Sequence, residues 1–376
     1  MRIALVHDWL FHMRGGEQVL EHFCRMFPDA PIYTLFHRPG RLSPLIAERS
    51  IQASLFNRLP AVHRYYRLLL PLYPLAVRTI RLPRDVDVVI SGSHCAAKAV
   101  PVPEGVRHIC YCHSPMRYLW HQFDAYFPRW LRESPAWELL GRVVEELRRW
   151  DVATAENVDV FVANSNTVRT RIRECYGRDA VVIHPPVDTA RFRPLDVPRE
   201  AFYLCVGAFV PYKRIDLAIA ACNRLRRELV VVGNGPLEKK LRAVAGDRTH
   251  FLGWVDGRRL VELYNRCRAL LFPPLEDFGL VPVEAQACGA PVICYGRGGA
   301  TETVVPPEAG VRPTGIWFEE QSVEGVVEAI ERFERMESWF DPRALRANAE
   351  RFGPERFRSE FFRLVYGEPQ PLRRAA

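Results

Sequence analysis

"PPLEDFGLVPVEAQACG" occupies residues 273–289. An apolar run, "ALLFPP" (269–274), leads into it with the length and composition of a buried strand. Pro282 suits the first turn of a helix, where a missing N–H costs no bond. Gly289 suits the position just past the last turn. The stretch therefore reads as strand, loop and helix, with the helix running to about Cys288. The amides of Phe278, Gly279, Leu280 and Val281 then fall at the helix N-terminus, a ready site for an anion. Gly279 lets the backbone approach a phosphate closely. Glu276 falls in the loop and Glu284 in the first turn of the helix, both aimed at one ligand. A carboxylate accepts well from a pair of sugar hydroxyls. The plainer alternative is a capped helix with two solvated acids, and the strand–loop–Pro–helix–Gly context weighs against it.

The same alternation extends outward in both directions. Strand candidates in the first half are 2–7, 86–91, 106–112, 158–164 and 180–186, with helical patterns at 17–27 and 137–150. In the second half they are 202–207, 228–233, 250–255, 269–274 and 291–296. Runs apolar on both faces, with helices between them, imply parallel strands covered on both sides. The fold class is α/β, with two doubly wound Rossmann-like halves. The break is expected in the proline-rich 184–200, giving domains 1–190 and 191–344, with a terminal helix at about 345–366 closing the first. Such sheets bind ligands beyond the carboxyl ends of their strands, so two of them facing each other would leave a deep cleft.

The length of 376 residues fits two domains, and 48% apolar with 26% charged residues is an ordinary globular composition. The apolar run in "MRIALVHDWL" is about five residues, short of the roughly 7–15 of a signal peptide. No stretch reaches the length of a membrane span, and no repeat is visible. A cytoplasmic protein, peripheral at most to the inner membrane face, is expected. Ten cysteines scattered through apolar stretches read as buried thiols. "CYCH" (110–113) has no second Cys/His pair at zinc spacing, so no metal is expected. A net charge of +8 and a pI of about 9.0 suit an anionic partner without choosing among nucleotide, nucleic acid and membrane. No nucleic-acid motif accompanies the charge.

Further candidates sit after other strands. Lys213 and Arg214, in "VGAFVPYKRIDLAI" (206–219), precede an amphipathic helix. Cations are disfavoured there unless an anion is bound, which points to a diphosphate, with Lys213 the stronger candidate. Gly15 and Gly16 follow the first strand without G-x-G-x-x-G spacing, and serve either a plain turn or close approach to a ligand. His113 ends a strand, where a hydrogen-bonding or acid/base role is open to it. The segment 55–83 mixes arginines with Tyr, Leu and Pro. It reads as helices packed in the first domain or as a peripheral membrane face with snorkelling arginines.

Together these residues resemble the GT-B glycosyltransferases of family 4 over nearly the whole chain. The E-x7-E block is the most specific part, beside "VPYKRID", "VVGNGPLEKKL", "VANSNTVRTRI" and "VIHPPVDTARF". "HDWLFHMRGGEQVLE", "HSPMRYLW" and "RRWDVATAENVDVFVANS" resemble the WbaZ-like branch, associated with mannosyl transfer from GDP-mannose in polysaccharide assembly. The resemblance implies a retaining, metal-independent transfer from a nucleotide sugar, with no cofactor, to a glycan or lipid-linked acceptor. It implies that Glu276 contacts the donor sugar and Glu284 the ribose. Amides of Phe278, Gly279 and Leu280 would hold phosphate and Lys213 would neutralise the diphosphate. Gly15 and Gly16 would close over it, His113 would sit beside the transferred sugar, and Trp254 and Val255 would edge the base. Ala208 stands where many members carry an arginine, which leaves Arg214 or Arg14 as candidate substitutes. Competing readings are a UDP-sugar-dependent family 4 transferase, a nucleotide-sugar epimerase, a phosphorylase (for which no pyridoxal lysine stands out) and a non-catalytic sugar-nucleotide-binding module.

Overall fold

The computed structural model describes residues 1–367. The chain divides into two compact units, Met1–His184 with the segment from Glu360 onward, and Pro185–Ser359.

The first unit is built on a seven-stranded parallel sheet. Its strands are β1 (Ile3–Leu10), β2 (Ile32–His37), β3 (Ile51–Ala53), β4 (Val88–Ser93), β5 (Arg107–Cys112), β6 (Val160–Ala163) and β7 (Ala180–Val182), in the order β3-β2-β1-β4-β5-β6-β7. The chain winds outward from β1 to β3 and returns to β4 on the other side of β1. The order thus reverses between β1 and β4, where Ile3 pairs with Val88 and His7 with Gly92. Side chains alternate along each strand, so both faces can be covered. Ala4, Val6 and Val89 pack into one core, while Cys110 and Cys112 face another with Phe161 and Val168. That shared face is the physical reason for the Cys-x-Cys spacing, and no metal-holding group occurs among the described residues. All ten cysteines are buried and none is in a disulfide.

The second unit repeats the scheme with six parallel strands, β8 (Tyr203–Val206), β9 (Leu229–Val232), β10 (Thr249–Gly253), β11 (Ala269–Phe272), β12 (Val292–Tyr295) and β13 (Gly315–Phe318). Their order is β10-β9-β8-β11-β12-β13, which puts the reversal between β8 and β11. Tyr203, Cys205, Leu271 and Ile293 face one core, and Leu204, Phe272, Val292 and Cys294 the other.

The expected boundaries need correction. The first break comes at His184/Pro185 rather than after 190, because the paired prolines 185 and 186 end pairing soon after β7. The closing helix expected over 345–366 is two helices, Pro342–Glu350 and Pro354–Tyr366. Pro354 cannot continue the earlier helix but suits the start of a new one. The helix Pro342–Glu350 belongs to the second unit, where Asn348 donates to Gln286 Oε1 at 2.7 Å and to the Thr303 carbonyl at 2.8 Å. Only the end of the chain returns to the first unit. Phe361 packs on Phe23, and Arg107 donates to the Leu364 carbonyl at 3.1 Å, a cation at a helix C-terminus.

The segment 55–83 forms short 3-10 turns (Leu55–Arg58, Val62–Arg64, Tyr66–Leu72) and the helix Tyr73–Arg78. Val62, Tyr73, Ala76 and Val77 are buried, as expected of a segment packed in the first domain, while Leu68 and Leu75 are exposed.

Candidate active site

In the second unit, the loops after β8 and β11 flank the point of reversal, and both carry sequence-predicted residues. β8 ends into Gly207, and the aliphatic chain of Lys213 packs alongside it, 3.7 Å from where a Cβ would stand. Lys213 lies in a single 3-10 turn, Pro211–Lys213, which Pro211 favours by fixing its own φ. The Lys213 ammonium reaches Glu276 Oε1 at 2.6 Å, with both side chains mostly buried. The contact is an ion pair without aligned hydrogen-bond geometry at that oxygen. Arg214, in the left-handed region at φ +49°, points its guanidinium at Asp216 (3.2 Å) and Gln321 (3.4 Å).

The helix after β11 is Leu280–Ala287, with Gly279 as N-cap at φ +87°. A left-handed N-cap is cheap for glycine, and here it turns the loop sharply into the helix. Pro282 is the third helical residue, inside the first turn, and Gly289 follows the end at φ +78°. Glu284 is the fifth helical residue and so stands in the second turn, not the first. The helix begins at Leu280, ahead of the position that Pro282 alone marks, because Gly279 already makes the turn. Glu284 is buried and accepts a hydrogen bond from the Tyr264 hydroxyl at 3.0 Å. Burial pushes its carboxyl up to about 7; the Tyr264 bond and the charge of Arg191 act in the opposite direction. Trp254, just past β10, is 75% exposed, whereas Val255 packs toward the core. Phe278 is buried, with its ring edge-on to Phe352.

Two residues outside the motif shape this loop. A side chain on Gly298 (φ +73°) would come within 2.6 Å of the Glu276 carbonyl, and one on Gly299 within 2.3 Å of the Asp277 carbonyl. The Gly299 amide donates to the Glu276 carbonyl at 2.8 Å. The "GRGGA" turn after β12 therefore clamps the backbone that carries Glu276.

In the first unit, the ends of β1, β4 and β5 bring three imidazoles together. The ring centroids of His7, His94 and His113 lie 6.3 to 6.4 Å apart. Gly16, in the helix Gly15–Met26, lies against them: a Cβ there would sit 3.4 Å from His7 and 3.6 Å from His113. Asp8 is fully buried. Its Oδ1 accepts from the amides of Ala96 and Ala97, and its Oδ2 from the His94 amide and His94 Nδ1 (2.9 Å). Burial opposes its charge, but the His94 contacts prevail and hold it well below the usual carboxylate range. Glu17 Oε1 lies 3.7 Å from His7 Nε2, and its Oε2 accepts from the Arg14 amide at 3.0 Å. Burial, then the charges of His7 and His94, push His113 well below its ordinary range, so the imidazole is neutral near pH 7. Sequence reasoning singled out Gly15, Gly16 and His113 but missed Asp8, Glu17 and His94. The signal was a polar pair, His7-Asp8, inside an otherwise apolar strand.

Known proteins resemble this chain over most of its length. Residues 187–352 match a family described as glycosyl transferases group 1, and residues 13–191 match glycosyltransferase family 4. The chain belongs to the family 4 glycosyltransferases of GT-B fold. Among relatives of this family, a GDP-mannose-dependent alpha-(1-6)-phosphatidylinositol monomannoside mannosyltransferase from Mycobacterium tuberculosis is 29% identical over 225 residues, covering 52% of this chain and 56% of the relative. The chain thus spans about half the length of the curated relatives it matches. Two solved structures share the fold over nearly both full chains. Sucrose-phosphate synthase from Thermosynechococcus elongatus has a TM-score of 0.73 at 19% identity, covering 97% of this chain and 98% of that one. Anabaena Alr3699/HepE in complex with UDP and glucose has a TM-score of 0.71 at 18% identity, covering 98% and 100%.

Proposed function

We propose that the protein is a retaining, metal-independent hexosyltransferase that moves mannose from GDP-mannose to a glycan or lipid-linked acceptor in surface polysaccharide assembly. The observation that carries this reading is the Lys213–Glu276 pair at the point of strand reversal, beside the N-terminus of the helix Leu280–Ala287. In the proposed reaction the donor diphosphate takes Lys213 and the amides of Phe278, Gly279 and Leu280. Glu276, relieved of its ion pair, accepts from hydroxyls of the sugar. As the sugar–phosphate bond breaks, negative charge grows on the leaving diphosphate; the acceptor hydroxyl oxygen bonds to the anomeric carbon on the same face, and its proton passes to the departing phosphate. Groups aimed at that charge lower the barrier because they bind the transition state more tightly than the ground state. Glu284 accepts from the ribose, and Trp254 and Val255 edge the base. In the first unit Gly15 and Gly16 admit the donor closely, and neutral His113 hydrogen-bonds the transferred sugar.

The choice of mannose rests on the resemblance to the WbaZ-like branch and on the Mycobacterium tuberculosis relative named for GDP-mannose. The Anabaena structure with UDP and glucose keeps UDP-sugar donors as the second reading. No helix among the described residues is long and apolar enough to cross a membrane, and we place the protein in the cytoplasm or at the inner face of the membrane by this reading alone. The test is a donor screen by thermal shift and slow hydrolysis over GDP-mannose, UDP-glucose and UDP-GlcNAc. Stabilisation by GDP-mannose, with release of GDP and mannose, is expected. Stabilisation by UDP but not GDP would overturn the donor choice. Sugar rearrangement in the absence of acceptor, followed by NMR, would point to an epimerase instead.

A further inference from the structure

The formal charge of the chain is unevenly spread. Residues 30–84 hold nine arginines, no lysine and a single acid, Glu48. The chain's 52 basic and 44 acidic residues therefore leave 43 of each outside this stretch, so its excess equals the whole net charge of +8. Elsewhere the surface arginines are laced with acids, as in Arg129–Glu133, Arg142–Glu138, Arg242–Glu238 and Arg346–Glu350. Arg14, Arg38, Arg41 and Arg64 make no ion pair among the described residues.

Three of these cations, Arg14, Arg38 and Arg64, border a cavity of about 270 Å³ in the first unit. Arg14, Arg38, Arg64 and Arg67 line it together with Trp9 and Tyr66. Arg67 lies over the Tyr66 ring and donates to its hydroxyl at 3.2 Å. Partial desolvation, then the charges of Arg14 and Arg41, lower the pKa of His12 at the same rim. Glu17, the one acid lining the cavity, also stands beside His7, so the cavity adjoins the histidine cluster. Like charges gathered without counter-charges are unfavourable until an anion joins them, and guanidinium groups match phosphate oxygens in bidentate fashion. The same segment presents Leu68 at 80% exposure, with Leu59, Leu72 and Leu75 also exposed. A cationic pocket next to solvent-facing leucines fits an amphiphile whose charged end is a phosphate.

We propose that this cavity binds the phosphate of a lipid-borne acceptor, with the apolar chain lying along the exposed leucines and the acceptor sugar directed toward His94 and His113. The word acceptor rests on the transferase reading above; the binding itself does not.

The test uses the full chain and flotation with vesicles of phosphatidylcholine alone or doped with phosphatidic acid, and glycerol 3-phosphate as the chain-free counterpart of that headgroup. The doped vesicles are expected to bind and the plain ones not. Arg38→Gln/Arg64→Gln is expected to weaken binding about tenfold or more, since two charge-assisted contacts are lost. Arg129→Gln/Arg142→Gln, with the same change in net charge, is expected to stay within about twofold, because those arginines serve surface pairs. Equal losses in the two double variants would mean diffuse charge attraction and overturn the pocket, as would failure of the wild type to bind doped vesicles. Glycerol 3-phosphate binding as tightly as the vesicles would overturn the lipid assignment. If the double variant does not melt like the wild type, Arg64→Gln alone replaces it. GDP titration of the same samples separates the two readings: intact GDP binding with failed flotation sinks the pocket alone, while failed GDP binding with intact flotation sinks the transferase reading alone.

Discussion

At the strand reversal of the second unit, one ammonium faces one carboxylate beside a helix N-terminus. At the strand reversal of the first, three imidazoles cluster, two of them against Gly16, beside a carboxylate saturated with hydrogen bonds. The same topology carries two chemistries. On the proposed reading the second unit's pair is exchanged: the donor diphosphate takes Lys213, and the sugar hydroxyls take Glu276. The first unit's cluster is fixed, because Asp8 already accepts from three amides and His94. It suits neutral hydrogen bonding to a sugar, while the second unit suits charge that appears during reaction.

The largest effect that would break this contrast is expected at Asp8. Asp8→Ala leaves three amides and His94 Nδ1 without their acceptor, and should cost about 3–5 kcal/mol, read by urea denaturation. A loss below about 1 kcal/mol would mean that the cluster is not held by Asp8. In the second unit, Lys213→Ala should lower donor turnover about 10²–10³-fold. Glu276→Ala should lower turnover comparably. Wild-type turnover in both variants would remove the site assignment.

Glu284 gives a smaller, pH-dependent effect. Its folded pKa, about 7, lies above its unfolded value, so the folded state holds an extra proton between the two. Folding therefore bears no penalty from this group below about pH 4.5, loses stability as pH rises from there toward 7, and bears the full cost above. Glu284→Gln should raise stability by about 1–3 kcal/mol at pH 8 and by nothing near pH 4, measured by denaturation at each pH. On the proposed ribose contact of the Glu284 carboxylate, the same variant should also remove the tightening of GDP binding expected in the wild type as pH rises through 7. A stability difference independent of pH would contradict the buried, half-protonated state.

The smallest effect concerns glycines. Gly16→Ala meets only ordinary contacts and should change stability by less than about 1 kcal/mol, whereas Gly299→Ala drives a methyl into the Asp277 carbonyl and should cost about 1–3 kcal/mol. Thermal melting of the two variants side by side tests the clamp on the Glu276 loop, and equal melting temperatures would refute it.

The apolar runs made ten of the thirteen described strands legible, because a strand covered on both faces is mostly apolar; β2, β3 and β13 were not among the candidates. The loop–helix at 273–289 was equally legible, since proline and glycine impose backbone limits that any fold must obey. Glu284 was misplaced by one turn because Pro282 tolerates several first-turn positions, and only the φ of Gly279 fixes the start. The clamp by Gly298 and Gly299 and the grip of Asp8 on His94 were not legible. Both join loops far apart in sequence, and nothing local marks a contact made by a backbone carbonyl or by a single aspartate. The end of the second unit was misjudged because helical period alone does not say which sheet a helix covers; the contact of Asn348 with Gln286 does.

The central claim is that Lys213 and the helix N-terminus hold a diphosphate. Calorimetric titration of GDP into the wild type and Lys213→Ala, at pH 8 and fixed salt, tests it most directly. The account predicts binding weakened about tenfold or more in the variant; equal affinity in the two proteins would contradict it.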